Sequence, residues 1–130
     1  MKIKTIYFAI ISLFFIANNT IGQDTAGSAV TPSKFERIMK KKRTVLLDVR
    51  TPEEYESGYI GKATNFNVMD SLSFLQSISN LDRNKKYLLY CKSGRRSGKA
   101  LVIMKNKGFK KIHHLRGGVT DWKGELNKPD

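Results

Sequence analysis

The feature that most constrains this chain is the alternation of short apolar segments with longer segments of helical character. Four short segments predict strands, most of them continuous apolar runs: residues 44–49, 63–68, 87–90 and 112–115. Strands without polar alternation are typical of a sheet that is covered on both faces. Because a longer segment separates each pair of strands, the connections can cross over and make neighbouring strands parallel.

Five predicted helices connect and cover these strands. They lie over residues 31–41, 51–58, 71–81 and 95–106, followed by a last helix after Gly117 and Gly118 that carries Val119, Trp122 and Leu126. We therefore predict an α/β fold, a doubly wound and mostly parallel sheet with helices on both faces. In such folds ligands bind at the carboxyl ends of strands, where loops meet helix N-termini.

Residues 1–22 have the features of a signal peptide. Two lysines precede a 12-residue run, residues 6–17, that is apolar except for Ser12. This run has the length of a signal-peptide core, roughly 7–15 residues, and is shorter than the roughly 20 residues of a membrane-spanning helix. We expect cleavage near Gly22 and Gln23, with an uncleaved anchor as the alternative, and hence a periplasmic or secreted protein.

The rest of the chain has the size of one domain. Residues 23–30 are small and polar, and they predict a flexible tether. Residues 31–130 then form the domain. A chain of this size should bury about two-thirds of its unfolded surface, which is enough for one core.

The chain is strongly basic, with 24 Lys and Arg residues against 11 Asp and Glu and a formal net charge of +13. Lysine runs over residues 40–42, 85–86 and 110–111 each stand at the end of an apolar element, and we interpret them as solvated turns. Anionic substrates or a membrane surface are secondary interpretations. No nucleic-acid recognition motif is present, so we expect no nucleic-acid partner and membrane contact only through an uncleaved signal segment.

The cysteine and histidine content limits metal chemistry. A single cysteine excludes an internal disulfide framework and a four-cysteine zinc site. His113 and His114 are consecutive on a predicted strand, so their side chains point to opposite faces and cannot easily share a metal. We therefore expect no metal site and interpret both histidines as structural or surface residues.

Cys91 stands where the third predicted strand ends, before a loop with Gly94 and a helix. Loop N–H groups and the positive end of the helix favour a thiolate, which is the nucleophilic form. Lys92, Arg95 and Arg96 add positive charge, and the same arrangement would hold an anion. The alternative is a small buried apolar residue, as free cysteines often are. The position and the basic neighbours favour a reactive cysteine, ionised and reachable from solvent.

The sequence from Cys91 to Ser97 resembles the active-site loop of single-domain rhodaneses, a family of sulfurtransferases. Two further sets match the family pattern in order: Leu47–Asp48–Val49–Arg50, Glu53, Tyr55, Gly58, Ile60 and Ala63–Thr64–Asn65 before the loop, and Ala100, Met104, Gly108, Phe109, Leu115–Arg116–Gly117–Gly118 and Trp122 after it. The resemblance runs from about Thr31 to Leu126. It is strong because all of these motifs occur in the order that the family has. Tyr59 departs from the pattern, since the family usually has His there; this change bears on packing and loop position.

The resemblance implies covalent catalysis through Cys91. The Cys91 thiolate would take the outer sulfur of thiosulfate or a related anionic donor as a persulfide, which a thiol or cyanide would then discharge. Backbone N–H groups of residues 92–96 would stabilise the negative charge of the persulfide. No metal or organic cofactor is implied. The substrate-binding candidates are Lys92, Ser93, Gly94, Arg95 and Arg96.

Two other functions are alternatives on sequence grounds. Phosphatases and arsenate reductases use Cys, five residues and then Arg; counted from Cys91, that Arg would stand at position 97, which is Ser97. The spacing disfavours this chemistry because oxyanion binding depends on close donor placement. A non-catalytic rhodanese-like module that binds a partner or carries sulfur is the second alternative, which the intact Cys91 disfavours.

Three residues are candidates for supporting the Cys91 loop: Asp48, Arg50 and Ser97. Asp48 and Arg50 end the first predicted strand and face the same edge of the sheet as the loop. They could orient the loop through hydrogen bonds or a salt bridge. Equally, they could form a structural pair that holds residues 51–58.

Overall fold

The structure is a computed structural model that describes residues 28–130. The predicted signal peptide, residues 1–22, and most of the predicted tether, residues 23–27, lie outside the described residues. Within residues 28–130, no helix has both the length and the apolar character needed to cross a membrane.

Strands and helices alternate along the described chain, as predicted. The elements are β1 (Ser28–Val30), α1 (Pro32–Met39), β2 (Thr44–Asp48), α2 (Pro52–Glu56), β3 (Thr64–Asn65), α3 (Ser71–Ser79), β4 (Lys86–Tyr90), α4 (Arg95–Asn106), β5 (Ile112–Leu115) and α5 (Gly118–Asp121). The sheet order is β1-β5-β4-β2-β3, and every pairing is parallel. All strands therefore end at one side of the sheet, the carboxyl edge, and begin at the opposite side, the amino edge. This confirms the predicted α/β fold.

Burial of both sheet faces explains the continuous apolar strands. In β4, Tyr87 and Leu89 belong to a core shared with α3 and α4, whereas Leu88 and Tyr90 belong to a second core shared with α1. Alternate residues of a strand point to opposite faces, so a strand between two cores needs apolar residues at every position.

The predicted tether over residues 23–30 is wrong for its last three residues. Ser28–Val30 form the edge strand β1, which pairs with β5 from His113 to Leu115, and Val30 is buried. A three-residue strand of small side chains is stabilised by its neighbour in the sheet rather than by its own composition. Its partner lies more than 80 residues further along the chain, so nothing local to Ser28 signals a strand.

The second predicted strand is shorter than expected. Only Thr64–Asn65 form β3, because β2 offers pairing partners to this segment at Leu47 and Asp48 alone. The chain then leaves the ladder, with the N–H of Phe66 still donating to the carbonyl of Asp48. This edge strand therefore ends three residues before the predicted position 68.

The last helix is also shorter than predicted. α5 ends at Asp121, since the backbone of Trp122 is already extended. Leu126 is exposed rather than helical and buried, and the next residue, Asn127, forms an antiparallel bridge with Tyr59. Trp122 packs edge-on against Phe35, as expected of a core residue.

Candidate active site

The Cys91 side chain lies at the carboxyl edge, directly after β4 and beneath the loop that leads into α4. The backbone N–H of Gly94 donates to the Cys91 Sγ at 3.0 Å. Gly94 has a φ of 98°, in the left-handed region that glycine adopts without steric cost. This conformation turns the chain tightly enough to bring the start of α4 over the sulfur.

The N-terminus of α5 holds the same loop from the other side. The N–H of Val119 donates to the carbonyl of Cys91 at 2.9 Å, and the N–H and hydroxyl of Thr120 both donate to the carbonyl of Lys92. These carbonyls therefore face α5. Gly118 makes the approach possible, because a Cβ there would lie 2.5 Å from the carbonyl carbon of Lys92. The turn at Gly117–Gly118 thus fixes the loop.

Ser97 connects Cys91 to β5. The Ser97 Oγ lies 3.5 Å from the Cys91 Sγ and shares a 2.9 Å hydrogen bond with the His114 Nδ1. It also lies 3.2 Å from the carbonyl of Gly94. Sequence reasoning treated His114 as a structural or surface residue, and no local signal links positions 97 and 114. Ser97 lies on α4, which packs against β5 and so brings the two side chains together.

Hydrogen bonding favours ionisation of the thiol. Burial by itself would raise the pKa of Cys91, but the Ser97 hydroxyl and the N–H groups of Ser97, Gly94 and Ser93 outweigh it and hold this pKa below its usual value. The predicted orientation of backbone amides towards the sulfur is thus observed.

The expectation that the sulfur is reachable from solvent is wrong for this conformation. Cys91 is 0% exposed and belongs to the core shared by α3 and α4, with Val49 and Ala100 among its members. The loop that directs its amides at the sulfur also covers it. A reagent can reach the sulfur only after the residues around it rearrange.

The basic residues of the loop have different environments. Lys92 and Arg95 are exposed, as is Ser93. Arg96 is instead paired with Glu54 of α2, Nη1 to Oε1 at 2.6 Å and Nη2 to Oε2 at 2.8 Å. The positive charge that Arg96 was predicted to add near the sulfur is therefore largely offset by a bidentate carboxylate. Glu54 lies in the predicted helix of residues 51–58, and no feature of the sequence indicated its contact with Arg96.

Asp48 and Arg50 form the structural pair that was one of the two interpretations. The Arg50 Nη2 donates to Asp48 at 2.6 Å and to the carbonyl of Gly58 at 2.6 Å, and both side chains are buried. The pair therefore holds residues 51–58 against the sheet. Glu54 lies in that segment and contacts Arg96, so the pair is linked to the Cys91 loop through this ion pair. Arg50 also lies over the ring of Tyr90, the residue before Cys91.

Tyr59, the residue that departs from the family pattern, packs against neighbouring segments. The Tyr59 ring stacks on the ring of Tyr55 with centroids 4.5 Å apart, and the Tyr59 backbone pairs with Asn127. Tyr55 in turn donates its hydroxyl proton to the carbonyl of Ala63. Tyr59 thus ties the segment after α2 to the C-terminal residues.

The two histidines have separate surroundings, as their adjacent positions on a strand predict. The His113 Nδ1 lies 3.3 Å from the Ser28 Oγ on β1, whereas the His114 Nδ1 contacts Ser97. Within residues 28–130, no group of three or more His, Cys, Asp or Glu side chains could hold a metal ion.

Replacing Ser97 by Ala should raise the Cys91 pKa, because the thiolate loses a hydrogen bond from a hydroxyl. The rate of alkylation by iodoacetamide at neutral pH should fall by about tenfold, the scale of one hydrogen bond to a charged group. The pH dependence of alkylation measures this directly, since Cys91 is the chain's single cysteine. Ser79→Ala, an exposed substitution on α3, is the matched control. An unchanged profile in Ser97→Ala would show that the hydroxyl does not stabilise the thiolate.

Replacing Glu54 by Gln should remove stability at neutral pH but not in acid. Hydrogen bonding and attraction from Arg96 lower the pKa of Glu54 from 4.5 to about 2. The pair therefore stabilises the fold fully above pH 4.5, and the contribution disappears as the pH falls towards 2. After allowance for solvent screening we expect a loss of about 1 kcal/mol at neutral pH.

Urea unfolding at several pH values measures the effect of Glu54→Gln. Glu56→Gln on the same helix is the control, because Glu56 makes no ion pair within the described chain. A stability difference between Glu54→Gln and the parent that stays constant from neutral pH down to pH 2 would contradict this account.

Comparison with known proteins agrees with this geometry. A parallel α/β domain with an amide-bonded cysteine after a central strand is the class that the fold and the site define. The family model for the rhodanese-like domain matches residues 31–125. The chain belongs to the family of rhodanese-like domains, which confirms the resemblance predicted from the Cys91 loop and its flanking motifs.

Curated relatives contain this domain as one part of a longer chain. The tRNA uridine(34) hydroxylase of Pelagibacter ubique is 30% identical over 101 residues, which are 78% of this chain and 34% of that protein. The protein of the same name from Teredinibacter turnerae is 31% identical over 103 residues, 77% of this chain and 32% of that one. The chain thus spans about a third of the length of the curated relatives it matches.

Solved structures of similar chains have the same fold. A rhodanese-like domain protein from Staphylococcus aureus superposes with a TM-score of 0.67 at 26% identity, over 80% of this chain and 99% of that chain. A rhodanese with anions from E. coli superposes with a TM-score of 0.56 at 27% identity, over 66% and 99%. In both, nearly the whole solved chain corresponds to this domain.

Proposed function

We propose that this protein is an exported sulfurtransferase that moves a sulfane sulfur from thiosulfate or a related anionic donor to a thiol or cyanide through a persulfide on Cys91. The observation that carries the proposal is the 3.0 Å hydrogen bond from the Gly94 N–H to the Cys91 Sγ, within a set of hydrogen bonds that lowers the pKa of this thiol despite complete burial. A structural cysteine needs no such donors.

The first half-reaction loads sulfur on the enzyme. The Cys91 thiolate attacks the outer sulfur of thiosulfate, a new S–S bond forms, and sulfite leaves with the electron pair of the broken S–S bond. The product is a Cys91 persulfide with its negative charge on the terminal sulfur. Amides aimed at this position would stabilise the charge, as donors do in an oxyanion hole.

The second half-reaction discharges the persulfide. Cyanide attacks the terminal sulfur, thiocyanate leaves, and the Cys91 thiolate is restored with its electron pair. A thiol acceptor in its thiolate form would take the same sulfur and become a persulfide itself. Neither half-reaction needs an external oxidant or reductant, and the chain has no second cysteine that could resolve the persulfide internally.

Burial of Cys91 gives the loop residues a role in access. Lys92, Ser93 and Arg95 are exposed at the covering loop, where the two cations would attract an anionic donor. The residues around the sulfur must rearrange to admit it, whereas the Arg96–Glu54 pair ties the first turn of α4 to α2. The solved rhodanese from E. coli contains anions, which agrees with an anionic donor for this domain.

The test is to load and unload the sulfur. Protein of residues 23–130 is incubated with thiosulfate, and its intact mass is measured by mass spectrometry. Cyanide is then added and the mass is measured again. We expect Cys91 to gain the mass of one sulfur atom and thiocyanate to appear as that mass is lost. An unchanged mass with no thiocyanate would overturn the sulfurtransferase proposal and leave the binding-module alternative.

Export rests on residues 1–22 and has its own test. The full chain is produced in a bacterium, the cells are fractionated, and the mass of the protein in each fraction is measured. We expect a chain beginning near Gln23 in the periplasm or the medium. Full-length protein confined to the cytosol would contradict export without affecting the proposed chemistry.

A further inference from the structure

Three basic segments that are far apart in the sequence meet at the amino edge of the sheet. Because all strands are parallel, the residues before β2, β4 and β5 lie side by side there. They line an open depression of about 640 Å³. We call its cationic residues the basic edge: Lys41, Lys42, Arg43, Lys85, Lys86 and Lys111. The lysine runs that we interpreted as separate solvated turns thus form one surface.

The charge of the basic edge is hardly offset within the protein. Asp82 is the one acidic residue lining the depression, and its Oδ1 accepts a hydrogen bond from the N–H of Asn84. The ion pairs of residues 28–130 are Lys40–Glu36, Arg50–Asp48 and Arg96–Glu54, none of which uses a residue of the basic edge. Unpaired cations of this density attract an anionic surface.

The place where the described chain begins indicates which kind of anionic surface the basic edge contacts. Ser28 pairs with His113, two residues after Lys111, so the described chain begins at the amino edge. The apolar run of residues 6–17 lies ten residues before Ser28 in the sequence. Ser28, the first described residue after this run, thus lies on the side of the basic edge, and Cys91 lies at the opposite edge.

We propose that the basic edge docks on an anionic phospholipid bilayer, with the Cys91 loop directed away from the membrane. A cluster of basic residues attracts a protein to anionic headgroups by itself, and an apolar segment, where it is not cleaved, adds the second signal of stable membrane attachment. Lysines act on lipid headgroups as point charges, without the planar geometry that specific recognition needs. The residues lining the depression include no aromatic side chain, the group on which nucleic-acid bases stack.

The domain alone is suitable for the test. Solved relatives in which 99% of the chain corresponds to this domain fold without further segments, and we expect the same of residues 23–130. Protein of residues 23–130 is mixed with vesicles of phosphatidylcholine, with or without phosphatidylglycerol, and the bound fraction is measured by sedimentation. We expect binding to the anionic vesicles only. Raising the salt should release the protein, because the screening length falls from about 10 Å at 0.1 M to about 3 Å at 1 M.

Charge reversal distinguishes the effect of the basic edge on binding from the effect of the overall charge. Each basic residue near an anionic membrane changes partitioning by about fivefold, so K42E/K85E/K111E should bind at least about tenfold more weakly. The control K34E/K99E/K123E carries the same charge change on exposed positions. It should bind within about threefold of the parent, because Lys34 and Lys99 lie on helices that begin at the carboxyl edge and Lys123 closely follows α5, which also begins there.

Three outcomes would overturn the proposal. One is equal binding to zwitterionic and anionic vesicles, which would show that lipid charge is not recognised. A second is equal loss in the two triple variants, which would show that only the net charge matters. A third is tighter, edge-dependent binding to RNA than to anionic vesicles at the same salt concentration, which would make nucleic acid the partner.

Discussion

Cys91→Ser should lower sulfur transfer from thiosulfate to cyanide by at least about a thousandfold, the scale on which loss of a nucleophile reduces turnover. A serine hydroxyl is not ionised near neutral pH and forms no persulfide, so the variant should also gain no mass from thiosulfate. Thiocyanate production and intact-protein mass measure the two effects independently.

The Cys91→Ser variant should remain folded. Its Oγ can accept the hydrogen bond that the Gly94 N–H donates to sulfur in the parent. The midpoint of thermal unfolding should therefore change by only a few degrees, which corresponds to about 1 kcal/mol for a domain of this size. If the folded variant still transferred sulfur at the parental rate, Cys91 would not be the nucleophile.

Gly118→Ala should both destabilise the protein and abolish persulfide formation. Gly118 has a φ of 57°, and an added Cβ would lie against the carbonyl of Cys91 and 2.5 Å from the carbonyl carbon of Lys92. The backbone contacts leave no flexible side chain to move aside. We expect a loss of about 2–4 kcal/mol in unfolding free energy, which combines the left-handed conformation with the displaced loop.

Gly98→Ala is the matched control for Gly118→Ala. Gly98 lies inside α4, and a Cβ there would make an ordinary 3.5 Å contact with the His114 ring. Because alanine favours a helix interior over glycine, this variant should gain about 0.5–1 kcal/mol and keep its activity. Urea unfolding and the thiosulfate loading assay compare the two variants. Full persulfide formation in Gly118→Ala would show that the contact with α5 does not set the amide positions.

Features with a local cause could be predicted from the sequence. Arg95–Asn106 forms the predicted helix with the predicted bounds, because its apolar spacing and the preceding Gly94 are enough to define it. The β4 and β5 segments follow from their own composition in the same way. The short strands β1 and β3 have no such cause, since their stability comes from neighbours in the sheet.

The candidate site likewise has features with a local cause and features without one. Its position, after a buried strand and before a helix, follows from the residues around Cys91. Its partners do not: Glu54 reaches Arg96 across 42 positions, and Ser97 meets His114 across 17. The sequence pattern indicates the backbone conformation that a few consecutive residues prefer. These pairs depend instead on which strands and helices become neighbours. The same limit applies to the exposure of the sulfur, which depends on how the loop folds back over it.

The sequence by itself determined the α/β class, the parallel sheet and the placement of a lone cysteine before a helix, because each follows from apolar periodicity and from a few consecutive residues. Only the tertiary structure decided that Cys91 is covered, that Glu54 neutralises Arg96 and that three lysine runs become one surface. The physical reason is that burial and charge pairing depend on distances in space, which the strand order of the sheet sets.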